Sequence, residues 1–246
     1  MIYDTDPYLS PYRGQIDRRY RELVIRKQEL AGYGKRIADA VNNHLYYGVH
    51  ADGREVVFRE WAPNATAVYL IGDVNGWRKD EKYRLGSVGN GNWELRLSAA
   101  EMPHGSLFRW LVEWNGGSGE RLPAYATRCV QDPETKIFSA QVWMPPRKYR
   151  WKHTRFVPHN RYPLIYEAHI GMSSEEEKVA SFTEFRQNVL PRIRDLGYNT
   201  LQIMALQEHP YYGSFGYQVS NFFALSSRFG TPEEFKALVD EAHGMG

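Results

Sequence analysis

Residues 164–206 read LIYEAHIGMSSEEEKVASFTEFRQNVLPRIRDLGYNTLQIMAL, and this stretch decides the fold. Leu164–Ile170 is a largely apolar run suited to a parallel strand covered on both faces. Ser181 and Glu184 form a capping box, after which Phe182, Phe185, Val189, Ile193 and Leu196 fall on one helical face. Pro191 lies inside that helix and predicts a kink, because proline removes an amide donor and crowds the preceding turn. Gly197 ends the helix, and Asn199–Leu206 is a second strand. Thr231, Pro232 and Glu234 open another capped helix whose buried face is Phe235, Leu238, Val239 and Ala242. Residues 163–246 therefore read as the first two βα units of a (β/α)8 TIM barrel. A closed barrel takes roughly 250 residues, so the barrel is expected to be incomplete within this sequence.

Upstream the period changes from 3.6 to 2. Glu55–Trp61, Ala67–Gly72, Trp93–Leu97, Leu107–Trp114 and Ile137–Trp143 are short strands, separated by turn clusters such as Gly89-Asn90-Gly91-Asn92 and Asn115-Gly116-Gly117. That spacing predicts an antiparallel, immunoglobulin-like sandwich over residues 45–145. Residues 1–14, with Pro7, Pro11 and Gly14, read as an extended arm. Asp17–Leu30 reads as a thinly amphipathic helix and Lys35–Val41 as a second short one, so residues 1–44 form an N-terminal helical arm. Residues 146–162 are the expected linker between the sandwich and the βα units.

Composition excludes several classes. Lys plus Arg number 31 against 29 Asp plus Glu, a net charge of +2 that points to neither nucleic acid nor an anionic membrane as partner. No apolar stretch is long enough for a membrane span, and the N-terminus lacks the pattern of a secretory signal. The single cysteine, Cys129, permits no internal disulfide and fits a cytoplasmic protein. There is no HExxH or CxxC, and Glu208-His209-Pro210 has no metal-ligand spacing, so no metal is expected. Gly86–Gly91 runs into a strand rather than a helix and is no phosphate loop. The run Arg147–Arg155 is read as a solvated linker packing on the barrel segment rather than a nucleic-acid stripe. Aromatic residues make up 14 %, with seven Trp and seventeen Tyr; such rings fill cores, and they also stack on the apolar faces of sugars.

Four blocks carry a resemblance. FREWAPNATAVYLIGDVNGW (58–77) and ATRCVQDPETKIFSAQVW (126–143) are similar to the beginning and end of the glycogen-binding module of glycogen and starch branching enzymes, members of the α-amylase superfamily. LIYEAHIGMSS (164–174) resembles their first barrel strand, and LGYNTLQIMALQEHPYYGSFGYQVSNFFALSSRFGTPEEFKALVDEAH (196–243) their second βα unit. The resemblance implies a 1,4-α-glucan branching enzyme of glycogen biosynthesis that cuts an α-1,4 glucan and transfers the freed chain to a 6-hydroxyl. It implies a retaining mechanism with two carboxylates about 5 Å apart, α-glucans (glycogen, amylose, amylopectin-like chains) as partners, and no cofactor. The family's catalytic carboxylates follow later barrel strands, so no residue here receives a catalytic role. A stand-alone glucan-binding module and a fragment of a related debranching hydrolase are the alternatives. In the first of these, residues 163–246 would need cover, by docking on the sandwich or by oligomerising, or else be mobile.

By the same resemblance, Tyr217 matches a tyrosine that stacks on the sugar at the cleavage site, although Gln218 stands where many relatives have Trp. Asn221, where many amylase relatives have Asp, is a candidate for loop or subsite structure. Trp77, after the Asn75-Gly76 turn, matches a stacking tryptophan of the binding module. Arg109 falls where related modules carry a lysine that bonds sugar hydroxyls. Packing roles remain open for Trp77 and Arg109, and the second stacking tryptophan of such modules has no counterpart near Gly119–Pro123. Trp61, on the strand with Phe58, is expected in core or interdomain packing. Glu167, His169, Glu208 and His209 are expected to organise structure and loops. The purified chain is expected to leave the iodine colour of amylose unchanged on prolonged incubation; loss of colour would place the chemistry within these 246 residues.

Overall fold

The computed structural model describes residues 1–158 and 162–246. Residues 159–161 of the expected linker lie outside the described residues. The chain divides into two units, residues 1–46 and 47–246.

The first unit is helical. It comprises α1 (Ile2–Thr5), a 3-10 segment (Pro7–Tyr12) and α2 (Arg13–Ala31), which ends at Gly32 with φ 85°. Residues 1–14 are therefore not extended. The Asp6 carboxylate accepts the Tyr8 amide at 3.0 Å and starts a turn. The Tyr3 hydroxyl donates to Asp17 at 2.7 Å, and the Arg13 guanidinium lies 4.6 Å from the Tyr3 ring centre, folding the segment back on α2. The expected helix at Lys35–Val41 shrinks to one 3-10 turn, Ile37–Asp39. A turn this short between Gly34 and Asn42 cannot repay the cost of helix nucleation.

The second unit begins with the sandwich. One sheet orders β1 (Gly48–Asp52), β2 (Glu55–Trp61), β5 (Asn92–Ser98) and β4 (Gly86–Gly89) as β1-β2-β5-β4. The other orders β3 (Ala65–Gly72), β6 (Leu107–Trp114), β9 (Phe138–Gln141) and β8 (Cys129–Gln131) as β3-β6-β9-β8, with β7 (Gly117–Arg121) also paired to β6. Period-two alternation sends Val56 and Phe58 from one sheet, and Val68, Leu70, Phe108 and Trp110 from the other, into a shared core. The Asn90-Gly91 turn has φ of 54° and 77°, which suits the twist of the β4–β5 hairpin.

Both faces of β3 are buried from Ala67 onward. Of its outer residues, Tyr69 is covered because the chain after Gly72 returns over it. Tyr69 donates its hydroxyl to Glu81 at 2.9 Å, and Lys79 Nζ sits 4.5 Å from its ring centre. Gly72 is required at the turn-out: a Cβ there would lie 2.2 Å from the Leu107 carbonyl oxygen. Trp61 corrects its expectation. It lies three positions after Phe58, so the two side chains point to opposite faces, and Trp61 is 56 % exposed with its indole donating to the Asn90 carbonyl at 3.2 Å. The inward place two residues beyond Phe58 belongs to Glu60. Burial pushes the Glu60 carboxyl up, against hydrogen bonds from the amides of Ala124 and Trp61 and from the Trp110 indole.

After the sandwich, β10 (Ile165–His169) pairs in parallel with β11 (Thr200–Met204), Ile165 opposite Thr200. Their crossover contains α3 (Phe182–Glu184), a π turn (Phe185–Val189) and α4 (Leu190–Asp195). The π turn is the disruption expected from Pro191: the hydrogen-bond register lengthens just before the residue that cannot donate. The Ser181–Glu184 box caps the segment, and Thr231–Glu234 caps α5 (Pro232–Gly244). Between them β12 (Gln207–Glu208) pairs with β13 (Asn221–Leu225). Ile170, Phe182, Phe185, Leu190, Ile193, Phe229 and Leu238 form the second core.

One carboxylate gathers Tyr149, Lys152 and His153 of the linker. Asp240 of α5 is 2 % exposed and accepts from the amides of Lys152 and His153 at 2.8 and 2.9 Å and from the Tyr149 hydroxyl at 2.9 Å. Burial opposes its charge, but these bonds and the His153 ring outweigh it and hold the Asp240 carboxyl at about 2, below its ordinary 3.8. A carboxyl held below its unfolded value stabilises the fold fully above about pH 4 and loses that contribution as pH falls towards 2. Trp151 fluorescence is expected to report release of this segment between about pH 4 and 2. Asp240→Asn is expected to speed tryptic cleavage at Arg150 and Lys152 at neutral pH; unchanged cleavage would mean the segment is held by other contacts.

Candidate functional site: a groove on the sandwich and a loop beside it

The outer face of the five-stranded sheet carries an open groove of about 490 Å³, whose lining includes Asp73, Trp77, Arg109, Gln131, Asp132 and Thr135. β6 presents Arg109 outward because its neighbours Phe108 and Trp110 are buried in the core. The Arg109 guanidinium lies 4.7 Å from the Trp77 ring centre and pairs with Glu120 of β7. The opposite wall is the turn after β8, where Asp132 Oδ1 accepts from the amides of Glu134 and Thr135 and the Thr135 hydroxyl at 2.7–3.0 Å.

Trp77 reaches the groove through a strained loop. Its φ is 62°, a left-handed conformation unusual for so bulky a residue. The loop is over-determined: Asn75 accepts the Gly72 amide and donates to the Leu70 carbonyl, while the Trp77 amide donates to the Gly72 carbonyl at 2.9 Å. The half-buried indole thus forms one side of the groove beside a guanidinium. A flat apolar face flanked by a cation, two carboxylates and an amide can stack on a sugar ring and bond its hydroxyls.

Tyr217, on the loop between β12 and β13, and Asn221, the first residue of β13, occupy a second place. Tyr217 is 86 % exposed. It follows Gly216, where a Cβ would lie 2.4 Å from Ala205 Cα, so only glycine lets the loop pack on the end of β11. Asn221 is 2 % exposed and donates its amide to the Pro123 carbonyl of the sandwich at 3.0 Å, which is the loop-structural place rather than a sugar-facing one.

Glu208 and His209, both 0 % exposed, anchor this loop. Glu208 accepts from the Ser227 amide at 2.8 Å and the Ser226 hydroxyl at 3.3 Å. His169, at the end of β10, sits against the rings of Tyr212, Phe215 and Phe229. Burial, and then the neighbouring His209, lower its proton affinity and favour the neutral imidazole. Glu167 is exposed and accepts from Gln202 at 2.5 Å. Among the described residues no cluster of histidine, cysteine and acidic side chains is arranged to hold a metal, and no helix is long and apolar enough to cross a membrane. Cys129 is buried, which pushes its thiol up to about 12.

Residues that no motif announced join the two places. Arg128, just before β8, donates to the Gly230 carbonyl at 2.6 Å and lies 4.9 Å from the Trp143 ring centre. The Trp143 indole donates to Glu233 at 2.9 Å, and Tyr125 stacks on Phe223 at 4.7 Å. Arg228 donates to the carbonyls of His209 and Pro210 at 2.5 and 2.8 Å and approaches Gln131 at 3.4 Å.

Residues 46–133 match the model of carbohydrate-binding module 48 (isoamylase N-terminal domain). The chain is 41 % identical, over its whole length, to the 1,4-alpha-glucan-branching enzyme of Yarrowia lipolytica, and covers 36 % of that protein. Among solved structures, an alpha-amylase-type protein from Salmonella typhimurium superposes with a TM-score of 0.66 at 23 % identity, over 81 % of this chain and 31 % of that one. The GBS pullulanase SAP, solved with maltotetraose, superposes at 0.63 and 18 % identity, over 89 % of this chain and 33 % of that one. The chain spans a little over a third of the length of the curated relatives it matches. By sequence the chain is similar over its whole length to the N-terminal portion of 1,4-alpha-glucan-branching enzymes, and it includes the segment that matches carbohydrate-binding module 48.

Proposed function

We propose that this chain is the glucan-holding N-terminal part of a 1,4-α-glucan branching enzyme, and that the sandwich groove binds α-glucan. The observation that carries this is the Trp77 indole fixed at the groove beside the Arg109 guanidinium. A strained left-handed tryptophan is retained only where its surroundings over-determine it, and such strain gathers at binding sites. Stacking supplies sequence-tolerant area, while Arg109, Asp73 and Asp132 discriminate hydroxyls by direction.

On the same reading β10, β11 and the helices that follow them are the first two βα units of a (β/α)8 barrel. The loop after β11 leaves the carboxyl end of a strand, where such barrels place their substrate sites. Tyr217, standing free on that loop, would stack on a sugar close to the scissile bond. In the intact enzyme the reaction itself falls to a carboxylate nucleophile and a carboxylic acid that no residue here matches.

Glycine suits a φ of 62° better than tryptophan does. Trp77→Gly is therefore expected to keep Tm within a few degrees while weakening maltoheptaose binding by about tenfold or more, roughly 1.4 kcal/mol. Titration calorimetry reads the second effect; wild-type affinity in this variant would overturn the groove reading. Tyr217→Ala, at an exposed position, is expected to change stability by less than about 0.5 kcal/mol. A large drop in Tm would show that Tyr217 is a packing residue.

A further inference from the structure

The wall of the groove and the loop that presents Tyr217 meet at one guanidinium. Gln131 lines the groove and donates its amide to the Lys136 carbonyl at 2.9 Å, bracing the Asp132–Thr135 turn from behind. Its side-chain oxygen faces Arg228 Nη2 at 3.4 Å. The same nitrogen donates to the Pro210 carbonyl at 2.8 Å, and Nη1 donates to the His209 carbonyl at 2.5 Å with Glu208 at 3.5 Å. The guanidinium plane also lies 5.7 Å from the ring centre of Phe138, on the strand paired with β8. Arg228 thus touches both the groove wall and the two residues that lead into the Tyr211–Tyr217 loop, with Nη2 shared between Gln131 and Pro210. Its side chain is only 19 % exposed, and the planar fork makes these contacts together, as a single ammonium could not.

We propose that Arg228 is a positioning residue that couples the groove to the loop: a glucan that fixes the Gln131–Thr135 wall also orders the segment carrying Tyr217. This rests on the reading of the groove as a glucan site. A ligand on the wall restricts the Asp132–Thr135 turn and, through Lys136 and Gln131, the direction of the Gln131 side chain. Gln131 held in one place holds Arg228, and Arg228 holds the backbone at His209 and Pro210. The effect is a population shift towards the ordered loop, bounded by how differently the ligand binds with the loop ordered or loose.

Hydrogen–deuterium exchange of the full chain with and without maltoheptaose tests this. In the wild type, amides in both 130–137 and 209–217 are expected to slow, the second set by about fivefold. In Arg228→Lys, which keeps a positive charge beside Glu208, 130–137 is expected to slow as before while 209–217 stays at its unliganded rate. Slowing of 209–217 to the wild-type extent in Arg228→Lys would overturn the coupling, since the sugar would then be holding the loop directly. Slowing confined to 130–137 in the wild type would overturn it too, leaving the groove reading intact. No slowing at 130–137 in the wild type would remove the groove reading and the coupling with it. Should Arg228→Lys fail to fold, Arg228→Gln cuts the link at the same point: 130–137 is expected to slow with maltoheptaose while 209–217 keeps its unliganded rate. An undiminished loop response in that variant would overturn the proposal.

Discussion

A buried arginine governs how the second unit is assembled. Arg128 is 7 % exposed, and burial lowers its proton affinity against the opposing fields of Glu208 and Glu234. A charge placed there is costly unless it is bonded and compensated. The compensation comes from across the seam: the Gly230 carbonyl and the two acids belong to the βα part, and the Trp143 ring follows β9. The sandwich therefore cannot satisfy Arg128 alone, and Glu208 would lose a nearby cation if the two halves parted. Asn221 on Pro123, Trp143 on Glu233 and Tyr125 on Phe223 extend the same seam. Sheet and βα segment thus pack as one compact unit, and the loop bearing Tyr217 keeps a fixed relation to β8 and its groove.

Local chemistry made much of this legible in the sequence. Glu55–Trp61 and Leu107–Trp114 form strands over their full expected lengths, because alternation and turn residues agree there. The Ser181 and Thr231 capping boxes mark two helix starts, and Pro191 announces its π turn. Other features depend on partners distant in sequence. β1 and β8 are short and weakly patterned, and exist because β2 and β9 offer them ladders. The 1–14 segment turns helical through an Asp6 cap and a Tyr3–Asp17 bond that no periodicity encodes.

The candidate site divides along the same line. The resemblance marks Trp77 and Arg109, and the fold brings them within 4.7 Å of each other. Arg128, Gln131 and Arg228 lie inside blocks that carry the resemblance, yet nothing singles them out there, since a lone charged residue in a strand or loop normally reads as solvated. Glu60 did carry a signal: two residues after Phe58, strict alternation sends it inward. Asn221 shows the reverse case, a position marked by resemblance whose side chain the fold spends on holding the loop to the sandwich.

The central claim is that the seam makes the sandwich and the βα segment one cooperative body. Native-state hydrogen exchange across a denaturant series tests it most directly. Amides of β3 and β6 in the sandwich and of β10 and β11 beyond it are predicted to converge on one opening free energy. Exchange of the β10–β11 pair through a separate opening, with β3 and β6 still protected, would contradict the claim: the seam would then be a contact between independent parts.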